Sequence, residues 1–229
     1  MTNYYAMVIS PHPDDAEYGI AGTVARWTGE GKKVIYVICT NGNKGTSNPD
    51  MSPEQLTKIR EGEQLAATKL LGVNKVIFMH FEDQTLEDTP EFRKEIVRLI
   101  RIYKPEIVAS CDPYRRYLWH RDHRITGQVV LDAVFPYARD HLAYPDLMAS
   151  GLQPHKVKEI LMWASEQPDY FSDITDTYEI KMAALHCHHS QIDHFSTEWD
   201  ELFKSRYRAW GKEKGFELAE AFHRVEIPW

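Results

Sequence analysis

Cysteine is scarce in this chain. Cys39, Cys111 and Cys187 stand far apart, an odd set without zinc-ligand or disulfide-framework spacing. Two of them lie in apolar, strand-like runs, so buried free thiols are the expectation. No apolar run reaches about eighteen residues, the length a membrane-spanning helix needs. Basic charge is not in excess: 27 Lys and Arg face 34 Asp and Glu, a formal net charge of −7. That balance argues against nucleic acid or an anionic membrane as a partner. The residues up to Ser10 have neither a basic start nor a long apolar stretch, so no signal peptide is read there and a cytoplasmic location is expected. Internal repeats, low-complexity tracts and linkers are also missing. With 43% hydrophobic residues over 229 positions, the chain can build the core of one α/β domain spanning 1–229.

What is present begins with Tyr4-Tyr5-Ala6-Met7-Val8-Ile9, an apolar and aromatic run that reads as a buried strand. Ser10-Pro11-His12-Pro13-Asp14-Asp15 follows, and its two prolines suit neither a strand nor a helix interior. A stiff loop at a strand's carboxyl end is the result, followed by a helix from Ala16 to Trp27. Open α/β sheets place their ligands at such strand ends. His12, Asp14 and Asp15 crowd this loop, and packing a nitrogen among carboxylates is costly unless a cation shares them. Half of a metal site is the reading. A second cluster, His120-Arg121-Asp122-His123, stands about a hundred residues later.

Together, Pro11-His12-Pro13-Asp14-Asp15 and His120-x-Asp122-His123 resemble the LmbE-like, or PIG-L, zinc-dependent N-deacetylase family. Arg60-x-x-Glu63, Leu70-Leu71-Gly72-Val73, Lys181-x-x-Ala184-Leu185 and His188-x-Ser190-Gln191 appear in that family's order, so the likeness covers roughly residues 4 to 195. The resemblance implies a Rossmann-like three-layer sandwich with a mainly parallel central sheet. It also implies one Zn2+ per chain held by His12, Asp15 and His123, with other divalent metals able to substitute. Asp14 would be the general base acting on a metal-activated water. His120, oriented by Asp122 and protonated, would stabilise the oxyanion. Arg60, Asp83, His188 and Gln191 would contact the substrate, an N-acetyl sugar or small glycoconjugate, and relatives often form homo-oligomers. Arg121 stands where relatives often carry proline, adding a charge near the pocket mouth.

Other readings of the same residues remain open. Arg60 and Glu63 are three apart on a helix and could simply form a solvated pair. Asp83 could be an ordinary acidic turn residue. An amidase acting on a thiol conjugate or an amino-acid derivative is an alternative, as is a non-catalytic, metal-retaining binding module. A dinucleotide-binding oxidoreductase would rest on Gly19-x-x-Gly22 alone, without the full glycine fingerprint.

The remaining elements follow from periodicity. Strands are expected at Lys33 to Thr40, Val73 to Phe81, Ile107 to Cys111 and Glu159 to Ala164. A helix capped by Ser52, with Pro53 at its first position and Gln55 completing a capping box, should run to Leu71 and bury Leu56, Ile59, Leu65 and Leu70. Helices are also expected over Pro90 to Tyr103, Arg124 to Phe135, Tyr178 to Cys187 and Ser196 to Trp210. Tyr137 to Pro154 is turn-rich and could cover the pocket or meet another subunit. His186-Cys187-His188-His189 cannot turn four ligands toward one ion from a helix end. Ala221 to Trp229 should be a terminal strand or arm.

Overall fold

The computed structural model describes residues 3–193 and 197–228. Ser196, where the sequence starts its last helix, and Trp229 lie outside the described residues. Seven strands form one sheet in the order β3-β2-β1-β4-β5-β7-β6. They are β1 Ala6–Ser10, β2 Val34–Thr40, β3 Lys75–Phe81, β4 Ile107–Cys111, β5 Glu159–Trp163, β6 Tyr170–Asp173 and β7 Ala219–Glu226. Strands β1 to β5 pair in parallel, while β7 runs antiparallel between β5 and β6. The helices are α1 Asp15–Gly29, α2 Pro53–Leu70, α3 Pro90–Tyr103, α4 Arg121–Asp132, α5 Pro145–Ala149, α6 Tyr178–Leu185, α7 His189–Ile192 and α8 Thr197–Lys212.

Strands β1, β2 and β4 are buried at every position. That is why they read as continuous apolar runs rather than alternating ones. Side chains still alternate between faces. Met7, Ile9, Ile35 and Val37 pack with Phe92, Ile96 and Val130 from α3 and α4. Ala6, Val8, Val34 and Tyr36 pack with Ile20, Val24 and Ala67 from α1 and α2. Helices therefore cover both faces, the three-layer arrangement expected. Connections leave β1 toward β2 and β3 on one side, and β4 leads to β5 on the other. The crevice at the carboxyl ends of β1 and β4 is thus the topological switch point, where such sheets bind ligands. Both histidine-aspartate motifs lie there.

Two details depart from the sequence reading. On α2, only Leu56 of the expected stripe is buried; Ile59, Leu65 and Leu70 are 40%, 51% and 53% exposed. The helix instead turns Arg60, Gln64, Ala67 and Thr68 inward, because the loop after β1 needs hydrogen-bond partners there. Helix α4 begins at Arg121 rather than Arg124, since His120 caps it and its Nδ1 accepts the Asp122 amide. Of the two readings of the last part of the chain, the strand is the one observed: β7 sits inside the sheet between β5 and β6. Tyr137 to Pro154 is pinned to α3 by buried Arg101, which donates to the carbonyls of Tyr137, Ala138, Asp140 and Ala143. Cys39 and Cys111 are free and buried, as expected. No described helix is long and apolar enough to cross a membrane.

Candidate metal centre and active site

The loop after β1 is held from several sides. Ser10 Oγ donates to the His12 carbonyl at 2.9 Å, and the Thr40 amide donates to the Pro11 carbonyl at 2.9 Å. Asp14 carries φ 99°, in the positive-φ region that glycine normally occupies. Such strain costs about 1–3 kcal/mol and persists only where the surroundings enforce it. Here Gln64 Oε1 accepts the Asp14 amide at 3.2 Å, and Arg60 Nη2 donates to the Pro13 carbonyl at 2.6 Å. These contacts are why the inward face of α2 is polar.

Asp15 stands at the centre of the expected ligand set. Its Oδ2 lies 2.9 Å from His12 Nδ1 and 3.1 Å from His123 Nε2. The rings of His12 and His123 are 5.2 Å apart between centroids. Donors around a tetrahedral cation with bonds of about 2.0–2.1 Å stand roughly 3.3 Å from one another, and the two separations at Asp15 fit a zinc-sized ion. Ligand atoms of His12, His120 and His123 also lie within 4.8 Å of one another, as do those of His12, Asp83, His120 and Asp122. Geometry therefore offers more than one donor combination around His12.

The charges respond to this crowding. Burial works against ionised Asp15, yet the His123 and His12 rings outweigh it and hold its carboxyl well below the usual range. Burial likewise opposes a charged His12, but the carboxylates of Asp122, Asp15 and Asp83 raise its ring well above the ordinary value. For Asp14, burial pushes the carboxyl up to about 6 against the pull of the Arg60 guanidinium. His120 moves the other way: burial and its histidine neighbours push it down. Because its Nδ1 accepts the Asp122 amide at 3.1 Å, neutral His120 carries its proton on Nε2.

Several expected roles are corrected by position. Arg60 is 3% exposed and donates to the Gly42 carbonyl (2.8 Å), the Pro13 carbonyl and Asp14 Oδ2 (3.2 Å). It is spent on the loop and on Asp14 rather than turned toward open space. Glu63 does not orient it; that carboxylate accepts the Ser190 amide and hydroxyl, each at 2.7 Å. The Asp122 carboxylate does not hydrogen-bond the His120 ring either, accepting instead from the Gln84 amide (2.7 Å), the Leu86 amide (3.3 Å) and His12 Nε2 (3.2 Å). His188 is fully buried, with Nε2 3.3 Å from Glu17 Oε2. Gln191 Nε2 donates to the Gly45 carbonyl at 3.0 Å and so braces the loop after β2. His186 and His189 pair with Asp200 and Asp193 at the surface, and Arg121 turns to Glu87 at 2.6 Å. Asp83 does reach the centre. Its Oδ1 is 3.1 Å from His12 Nε2 yet has no well-directed hydrogen bond, so a buried acceptor faces the cluster.

Beside Asp15 and His123 opens a cavity of about 240 Å³. Tyr18, Trp119, Trp163, Phe203, Tyr207 and Trp210 line it, together with Arg115 and Arg206. Sequence periodicity places a helix over Ser196 to Trp210, and the 203, 207, 210 spacing is the signal that its rings share a face. Nothing in the pattern tied that face to the histidines. Gln64 and Glu17, linked at 2.9 Å behind Asp14, were also missed. Gly19 and Gly22 serve packing: a Cβ on Gly19 would lie 2.4 Å from the Trp163 ring, and the Gly22 amide donates to Glu220 at 2.9 Å. They form no phosphate cradle, which removes the ground for the dinucleotide reading.

Residues 7–134 match the family model described as PIG-L, GlcNAc-PI de-N-acetylase. Diacetylchitobiose deacetylase of Thermococcus kodakarensis is 35% identical over 220 residues, covering 96% of this chain and 82% of that protein. The structure of N,N'-diacetylchitobiose deacetylase from Pyrococcus horikoshii superposes with a TM-score of 0.90 at 30% identity, over 96% of this chain and 83% of that one. A 4-carboxy-2-hydroxymuconate hydratase from Pseudomonas putida KT2440 shares the fold, with a TM-score of 0.84 at 21% identity over 100% of this chain and 98% of its own. The fold thus carries more than one chemistry, and the reaction has to be argued from the site.

Proposed function

We propose that this chain, which belongs to the GlcNAc-PI de-N-acetylase (PIG-L) family, is a zinc-dependent N-deacetylase. Its substrate in this reading is an N-acetylglucosamine-type sugar or a small conjugate of one. The observation that carries the proposal is the convergence of His12 and His123 on one Asp15 oxygen, with a second, strained carboxylate, Asp14, next in the chain. His12, Asp15 and His123 would hold the ion. When bound there, zinc supplies Lewis acidity and lowers the pKa of water to about 7.

Asp14 then accepts the proton of the water that attacks the amide carbonyl carbon. It returns that proton to nitrogen as the C–N bond breaks, so acetate and a free amine leave. A carboxyl near 6 suits both halves of that task. His120, neutral with its proton on Nε2, donates to the carbonyl oxygen as negative charge builds there. Asp83 Oδ1, buried and without a donor, accepts from a sugar hydroxyl. The aromatic cavity receives the rest of the conjugate, and Arg115 and Arg206 allow that part to be anionic. A cytoplasmic location and a homo-oligomer accompany this reading through the family resemblance.

The test is direct. Purified protein should carry about one zinc per chain, release acetate from diacetylchitobiose, and lose that activity reversibly to a chelator. Asp14→Ala should lower kcat by at least ~10²-fold with zinc retained, whereas His123→Ala should release the metal. A zinc-loaded chain that frees no acetate from any N-acetyl sugar would overturn the assignment.

A further inference from the structure

Asp14 is the N-cap of α1, and Glu17 stands three residues on, inside the first turn. Aspartate is among the best capping residues, and an acidic side chain three positions later completes a capping box. In such a box the cap's side chain accepts the amide of the later residue, and that residue's side chain accepts the cap's own amide. Here neither half is made. Asp14 forms no capping hydrogen bond, and its backbone stands at φ 99°, ψ −34° instead of the extended conformation usual for a cap. Only its carbonyl serves the helix, accepting the Glu17 and Tyr18 amides at 2.9 and 3.2 Å. The carboxylate is turned away from α1, to within 3.2 Å of Arg60 Nη2.

Gln64, fully buried on the inward face of α2, stands where the box would close. Its Oε1 accepts the Asp14 amide at 3.2 Å, and its Nε2 donates to Glu17 Oε1 at 2.9 Å. The direction of this bridge is fixed by chemistry. A carboxylate only accepts, so the NH2 end faces Glu17 and the carbonyl end is left for the Asp14 amide. Reversing the side chain would set two acceptors together at Glu17 and two donors together at Asp14. Glu17 cannot swing out of the way, because it is fully buried, with Lys181 Nζ on its carbonyl at 2.8 Å and His188 Nε2 3.3 Å from its Oε2. A backbone at positive φ persists only where its surroundings enforce it, and this bridge holds the Asp14 amide from one side while Arg60 holds the Pro13 carbonyl from the other.

We infer, on the reading of Asp14 as the base of an N-deacetylase, that Gln64 is its positioning residue: by standing between the Asp14 amide and the Glu17 carboxylate, it keeps the capping box of α1 open. The Asp14 carboxylate is thereby withheld from the helix amides and left to accept a proton. Gln64 touches no reacting atom in this account and acts through the Asp14 backbone.

Crystal structures and steady-state kinetics of Gln64 variants test it. Gln64→Met keeps the length of the side chain and removes both polar ends. The box should then close, with Asp14 at negative φ and its carboxylate accepting the Glu17 amide. Its kcat per bound zinc for acetate release from diacetylchitobiose should fall at least ~10-fold, with KM changed less than about twofold. A role confined to stability would lower the yield of folded, zinc-loaded enzyme and leave kcat per zinc alone. Gln64→Glu sets two carboxylates face to face and should also be slow, whereas the swap Gln64→Glu with Glu17→Gln restores a donor opposite each acceptor and should recover most of kcat. Asp14 still at positive φ in Gln64→Met would overturn the inference, as would wild-type kcat per zinc in that variant. So would a folded, zinc-bound swap variant no faster than Gln64→Glu, and this comparison stands even where Gln64→Met fails to fold. A wild-type chain that frees no acetate defeats the deacetylase reading itself, a result distinct from an active chain whose Gln64 variants stay fast.

Discussion

Arg60 Nη2 lies 3.2 Å from Asp14 Oδ2, and the same guanidinium holds the carbonyls of Pro13 and Gly42. One cation thus anchors the strained loop and biases the Asp14 carboxyl. Burial raises the Asp14 carboxyl to about 6, and the Arg60 charge is the largest influence opposing that rise. A general base works ionised, so kcat/KM should climb with pH through the Asp14 pKa and fall about tenfold per unit below it. A bound divalent cation pulls the limb to 6 or lower. Arg60→Ala removes the opposing charge and should move the acid limb to higher pH, with Arg60→Lys intermediate. The loss should be greatest on the acid side and shrink on the alkaline side. A full pH profile of kcat/KM checks this, and a limb at the wild-type position would show that Arg60 does not tune the base.

Gly42 extends the same point to the backbone. It sits at φ +61°, and a Cβ there would fall 2.5 Å from Arg60 Nη1. Gly42→Ala should therefore cost about 1–2 kcal/mol for the left-handed backbone and shift the acid limb as Arg60→Ala does. Gly62 provides the contrast, since it lies within α2 and a Cβ there meets nothing within 4 Å. Gly62→Ala should stabilise the protein by about 0.5–1 kcal/mol and leave the pH profile alone. Urea melts beside the pH profiles distinguish the two outcomes.

These residues also mark where the sequence is legible. The β1–loop–α1 unit could be read because its signals are local: an apolar run, two prolines, then helical spacing. The capping box of α2 is local too, and Ser52 and Gln55 form it. Burial on α2 could not be read, because hydrophobicity assigns the inside to Ile59, Leu65 and Leu70, whereas the loop's unpaired backbone draws in Arg60 and Gln64. The family resemblance pairs His120 with Asp122. Its partner is 110 positions away, across the switch point, and no spacing rule reports such a pair. Strand β6 is four residues long and its partner β7 comes almost fifty residues later, so their pairing left no periodic trace.

Lys181 and Glu220 meet at 2.7 Å, both essentially without exposure. Lys181 also donates to the carbonyls of Glu17 and Tyr18, and Glu220 accepts the amides of Gly22 and Thr23. The pair therefore ties α6 and β7 to the first half of α1, which carries Asp15. Removing one partner leaves a buried charge unmatched. Lys181→Met should destabilise by about 3–5 kcal/mol, and the double variant Lys181→Met with Glu220→Gln should recover part of that loss. Urea denaturation of the two singles and the double closes the cycle. A double variant no better than the sum of the singles would mean the two charges do not interact.

The cavity beside the ligands yields a prediction about substrate choice. Its rings offer flat apolar faces, and its formal positive charges are Arg115, stacked 4.8 Å over Trp119, and Arg206 on α8. Asp15 is the carboxylate among the lining residues, and in the proposed reaction it would be taken up by the metal. Neutral sugar hydroxyls gain little from a guanidinium, whereas a carboxylate or phosphate gains a charge-assisted bond of about 1.5–3 kcal/mol. Arg206→Ala should therefore raise KM about 10–100-fold for an N-acetylglucosaminide with an anionic aglycone, and by much less for diacetylchitobiose. Phe203→Leu shrinks the stacking face without touching charge and should weaken both substrates alike. Acetate release measured on the two substrates in parallel decides the matter: equal losses in the Arg206 variant would mean that the cavity reads shape alone.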